Sequence, residues 1–187
     1  MSNTTNNSLT KSHKGKFGKD FVFRTRDNVS IMAHPAKKSN KVPGESQIAV
    51  RRRFKMASRW AKQALADPDT LAFYQSVSDG MKTPYVMAVA DYMRPPQVGS
   101  IDTSRYSGNI GDRIIVDATD NIKVKSVTVA IKGKDGIMIE TGPCVEDLEA
   151  DKWHYTATVN VPDLAGVIIS AVALDTPNHP GELEVTL

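Results

Sequence analysis

The sequence predicts an α+β protein: a small β-hairpin plus three-helix N-terminal module, followed by an antiparallel β-sandwich or barrel. Three observations carry this. Helix-start signals (Asp67-Pro68 and Thr83-Pro84) fall in the first half of the 187 residues. Beyond Pro95-Pro96 the hydrophobic pattern changes to short β-branched runs of period two. Charge divides along nearly the same line: residues 1–99 hold 17 Lys and Arg against 7 Asp and Glu, a net +10, and residues 100–187 hold 7 against 14, a net −7.

Residues 1–15 are polar and read as a flexible basic arm. Phe21, Phe23 and Thr25 then alternate with Val22, Arg24 and Arg26. Asp27-Asn28 supplies turn chemistry and Val29 to Ala33 resumes the extended pattern, so a hairpin is expected. Residues 36–44 form a basic connector ending in Pro43-Gly44. A first helix is expected over 46–66, with Glu45 at its positive end. Asp67 caps a second, with Pro68 at its first position, running to about Ser78 before Gly80. Thr83-Pro84 repeats the grammar for a third helix to about Met93. Arg94-Pro95-Pro96 stops it. The expected division is an arm (1–15), a hairpin plus three-helix module (16–94), a Pro-rich linker (95–100) and a sandwich (101–187). Its strands are expected at 113–118, 124–131, 137–140, 153–159, 167–174 and 183–187, with Trp153 and Tyr155 facing the core.

The totals bound function. Forty per cent hydrophobic residues suffices for a core. There is no apolar run of the ~18–20 residues a membrane span needs, and the polar N-terminus has no secretory h-region. The single Cys144 forms no internal disulfide and completes no Cys-rich zinc site. A cytoplasmic protein or one assembled into a particle is expected, without membrane partner, cofactor or identifiable small-molecule substrate.

The segment VRRRFKMASRWAK (50–62) concentrates six cations in thirteen residues. At 100° per residue, Val50, Phe54, Ala57, Ala61, Ala64 and Leu65 share one face, a seam expected to be buried. Arg51, Arg52, Lys55, Arg59 and Lys62 form the opposite stripe. No acid lies between Glu45 and Asp67, although an ordinary solvated face would intersperse Glu at i,i+4. The stripe is therefore expected to meet an acidic surface: a protein partner, another copy's acidic half, or nucleic acid. Arg24 and Arg26 extend the positive surface.

Other constellations are weaker. Asp117, Asp120, Asn121, Asp175 and Asn178 sit in or beside turns that a sandwich can place at one end, where their oxygens could converge on Ca²⁺. The alternative is that they bond their own backbone, and no bidentate Glu is near. His13, His34, His154 and His179 have no metal spacing. Cys144 has no evident base. The acidic run 146–151 reads as a solvated loop, or as the electrostatic mate of the basic helix in a neighbouring copy. Gly15 and Gly18 do not make a phosphate loop. No catalytic residue is assigned.

The back half, in residues 111–136 (GDRIIVDATDNIKVKSVTVAIKGKDG) and 170–181 (SAVALDTPNHPG), resembles bacterial immunoglobulin-like domains. The resemblance implies an immunoglobulin-like β-sandwich serving as a non-catalytic spacer, adhesion or docking module. Thr176-Pro177-Asn178-His179-Pro180 departs from that pattern, where a Gly-Asn turn is more usual. The front half, through Gly15-Lys16-Phe17-Gly18, Phe21 to Arg24, Pro35, Ser46, Arg51, Phe54, Ala57 and Ala61-Lys62, looks like a module of uncharacterised bacterial and phage-associated proteins. That resemblance implies a shared fold and no activity. The expectation is a non-enzymatic structural or adaptor protein, possible settings being a phage-like or injection-type assembly. The alternative is a nucleic-acid-binding protein using helix 46–66.

Overall fold

The computed structural model describes residues 2–3, 14–26, 29–37, 41–79 and 82–187. The chain divides into two compact units, Met1–Ile48 and Ala49–Leu187. The division thus falls inside the first helix, and that helix from Ala49 onward and the two later helices belong with the sandwich rather than with the hairpin.

In the first unit β1 (Ser2–Asn3), β2 (Gly15–Phe17), β3 (Phe21–Arg26) and β4 (Val29–Ala33) form one antiparallel sheet in the order β1-β4-β3-β2. The hairpin is present as expected, β3 pairing Phe23 with Met32. The turn at Asp27-Asn28 lies outside the described residues. So do 4–13 of the expected arm, whose Ser2–Asn3 and Gly15 are strand residues. Gly18, at φ +64°, makes the reversal between β2 and β3. Phe17 meets Phe23 edge-on at 6.1 Å, and Phe21 stacks on His34 at 5.6 Å.

The second unit begins with helices. α1 spans Glu45–Ala64, α2 Pro68–Ser76 and α3 Pro84–Met93. The cap grammar holds atom by atom. Asp67 Oδ2 accepts from the Thr70 amide at 2.9 Å and its hydroxyl at 2.7 Å, which holds the carboxyl below its usual range. Thr83 Oγ1 accepts from the Val86 amide at 3.4 Å. Ala57 and Ala61 of α1 pack with Tyr74, Ala88 and Val89, and Trp60 turns its ring onto Tyr74 and Tyr92 at 6.4 and 5.6 Å.

The rest is a two-sheet sandwich: β5 (Gln97–Asp102), β6 (Arg113–Thr119), β7 (Ser126–Lys132), β8 (Met138–Pro143), β9 (Val145–Asp147), β10 (Lys152–Thr156), β11 (Ile168–Leu174) and β12 (Pro180–Thr186). The sheets order as β5-β6-β10-β9 and β12-β11-β7-β8, all pairs antiparallel. With strands lettered A, B, C, C′, D, E, F, G, these read A-B-E-D and G-F-C-C′, the strand order of immunoglobulin-type sandwiches. Ile114 and Val116 face Val127, Val129 and Ile131, with Trp153, Tyr155, Ile169, Ala171 and Ala173 completing the core. Each buried Val or Ile there contributes about 1.5–3 kcal/mol over exposure.

The expected linker at 95–100 is corrected. Pro96 is fully buried and Gln97 already pairs with Thr119, so the sandwich starts at 97. A bulge between Val98 and Ser100 breaks the alternation that would have marked this strand. β8 passes through Cys144 directly into β9, so a single run crosses from one sheet to the other.

Candidate functional site

α1 is about 30 Å long, from 20 residues at ~1.5 Å each. α2 and α3, with 9 and 10 residues, reach only about 14 and 15 Å. The short helices therefore cover the C-terminal half of α1 and leave the other half bare. Every residue from Ala49 to Met56 is exposed. The expected seam is buried at Ala57 and Ala61, but Val50 and Phe54 are 57% and 53% exposed, a correction to their placement in the core. Ile48 and Met56 are exposed as well.

Arg51, Arg52, Lys55, Arg59 and Lys62 are all exposed along α1, and so is Arg53. Among the described residues none of them forms an ion pair. The half-helix thus presents unpaired cations beside apolar side chains in water. Arg24 is exposed on β3 of the first unit, and the Arg26 side chain lies outside the described residues.

A second constellation lies where α2 and α3 meet the β6–β7 and β11–β12 loops. Tyr74 donates its hydroxyl to Asp91 Oδ2, while Asp91 Oδ1 is buried without a partner. Burial pushes the Asp91 carboxyl up to about 7, opposed by the Tyr74 bond and aided by the charges of Asp120 and Asp175. Asp175 is fully buried, accepts from the His179 amide at 2.6 Å, and lies 3.3 Å from His179 Nδ1. Burial raises its carboxyl too. Tyr92 meets the His179 ring edge-on at 4.5 Å, and Ile122 packs onto the helical core.

Of the calcium candidates, the structure brings Asp120 and Asp175 close to Asp91 at this junction. Asp120 Oδ2 accepts from the amides of Ile122 and Lys123 at 3.2 and 3.1 Å, Asn178 Oδ1 accepts from Lys125 at 3.0 Å, and Asp117 lies on β6. The Asn121 amide, suitably oriented, donates to Asp120 and the Arg94 carbonyl. Among the described residues no group of three or more His, Cys, Asp or Glu is arranged to hold a metal. Asp91, which sequence reasoning passed over, had one signal: it is the sole charge in the otherwise apolar helix PYVMAVADYM.

The remaining candidates have local roles. His34 Nδ1 bonds the Asp20 carbonyl at 2.9 Å, His154 lies 3.9 Å from Asp147, and His13 is outside the described residues. Cys144 is buried, which pushes its thiol up to about 12. Glu140 turns inward from β8 and accepts from Tyr155 Oη at 2.9 Å and from Thr158 N and Oγ1 at 2.9 and 2.7 Å.

No family model, curated protein or solved structure matches this chain. The functional reading therefore rests on its own residues. Among the described residues no helix is long and apolar enough to cross a membrane.

Proposed function

We propose that this chain is a non-enzymatic structural or adaptor protein that docks through its basic helical module and displays an immunoglobulin-like sandwich, in an assembled particle of the phage or injection type. The observation that carries the reading is the bare half of α1, where Val50 and Phe54 of the seam face are exposed while Arg51, Arg52, Lys55 and Arg59 line the opposite face. An amphipathic helix serving only its own core covers its apolar face. Here that face continues past the elements that could cover it. The buried carboxylates are engaged with a phenol and backbone amides, as in structural networks.

The test is size by light scattering across a salt series, for the full chain and an R51E/R52E/K55E variant. Docking predicts salt-sensitive association, or binding to a partner, that the variant loses. A wild type that binds nothing at low salt and high concentration would overturn it.

A second reading, binding of nucleic acid, is favoured by the absence of any acid between Glu45 and Asp67. Five phosphate contacts would give log affinity for duplex DNA a slope of about −4.5 against log salt. Undiminished DNA affinity in the same variant would sink that reading.

A further inference from the structure

We infer that the partner of the basic half-helix is a second copy of this chain, presented through the acidic corner at 145–151, so that copies join head to tail. This rests on the docking reading above and names its occupant.

The corner is built as the helix's complement. Glu146, Asp147, Glu149 and Asp151 place four carboxylates within six positions, with Glu146, Glu149 and Asp151 exposed. Asp147 turns back to accept from the amides of Glu149 and Ala150 at 3.1 and 3.2 Å. That closes the loop and leaves Leu148 at its tip, 82% exposed. Val145, 67% exposed, precedes it on β9, the outermost strand of its sheet. The corner is an apolar pair ringed by carboxylates. The bare half of α1 carries an apolar pair, Val50 and Phe54, flanked at about 100° per residue by Arg51 and Arg53, with the remaining cations on the opposite face. Each fits the other in sign and in apolar content, which is what steers and registers an association.

Within one chain the two surfaces do not satisfy each other: among the described residues no ion pair joins α1 to the corner. They are different patches, so the contact is heterologous, and every copy retains one free helix and one free corner. Such contacts propagate into a filament or close into a ring.

The experiment is a charge swap in the full chain, read by light scattering over a concentration series at low and at molar salt. The wild type is expected to grow well beyond the 20.4 kDa of one chain at low salt and return to it at high salt, where screening shortens to about 3 Å. E146K/E149K and R51E/R52E should each remain monomeric. The chain carrying both pairs should assemble again, since the complementarity is restored with signs exchanged. That recovery also rules out misfolding as the cause of either loss.

If E146K/E149K assembles like the wild type, the corner is not the partner and the inference falls. If in that case R51E/R52E still dissociates the assembly, the docking reading survives. A wild type monomeric at every concentration overturns the inference, and recruitment of the helix only by added duplex DNA would put the polyanion reading in its place.

Discussion

Tyr74 on α2 donates its hydroxyl to Asp91 on α3, and both side chains are completely buried. The pair ties the two short helices together at the point where they meet the sandwich loops.

Burial of Asp91, which outweighs the opposing bond from Tyr74, leaves stability dependent on pH in an unusual direction. The folded Asp91 carboxyl titrates near 7, against 3.8 ordinarily. Between those values the folded chain keeps a proton that the unfolded chain has lost, so stability falls as pH rises through that window, by a few kcal/mol in order of magnitude. Asp175, also raised, acts in the same sense. Below about 4 the lowered carboxyls of Asp67, Asp102 and Asp112 take over, and their stabilisation is lost with acid. Thermal unfolding should therefore peak on the acid side of neutrality. Asp91→Asn, which keeps an acceptor for Tyr74, should flatten the decline toward pH 8. A D91N curve as steep as the wild type's would refute the assignment.

Glu140→Ala should cost about 2–3 kcal/mol in urea unfolding, because Tyr155 Oη and the Thr158 amide lose their acceptor. Glu140→Gln, which retains one, should recover most of it. Equal losses for both would mean that charge rather than bonding matters there.

Gly181→Ala should be among the most damaging small substitutions. A Cβ at that position would lie 2.0 Å from the Pro96 carbonyl oxygen, which is backbone and cannot step aside. Several kcal/mol, or failure to fold, is expected. Gly99→Ala is the control: its nearest neighbour would be 3.8 Å away, and the change should fall within about 0.5 kcal/mol.

Cys144 should react slowly with an aromatic disulfide reagent at pH 8. The thiol is buried and titrates near 12, so almost none is thiolate. Denaturant should release the full reaction. Fast labelling of the native chain would show that the β8–β9 run opens.

Replacing Val50 and Phe54 together by Ser should change stability by no more than about 1 kcal/mol, whereas Ala61→Leu should cost about 1–3 kcal/mol by overpacking the helical seam. Thermal unfolding separates the two. A large loss in the Ser pair would mean that these side chains are covered after all.

What the sequence made legible, and what it hid, follows from how local each signal is. The hairpin strands and both Pro-opened helices are written in adjacent residues, as are β6, β7 and β11, whose alternation or β-branched run is intact. β5 was hidden by its bulge behind two prolines. β9 is only three residues long. β12 starts at Pro180, earlier than its apolar residues indicated, because an edge position tolerates the missing amide. Periodicity placed the α1 seam on the correct side but could not say where its cover ends, since that depends on the lengths of α2 and α3. Asp91 was passed over although it is the one charge in α3, because its neighbours Asp120 and Asp175 come from loops far along the chain.

The close approach of Pro96 and Gly181 has a mechanical consequence. It sets the start of β5 beside the start of β12, so the two run alongside each other from the same pole of the sandwich. The chain enters at that pole and leaves from the other, about 20 Å away along a strand of six or seven residues. Tension between α3 and the end of β12 pulls along the strands rather than across them. The ladders β5–β6 and β11–β12 are then loaded in shear, with their hydrogen bonds sharing the force together instead of parting one at a time.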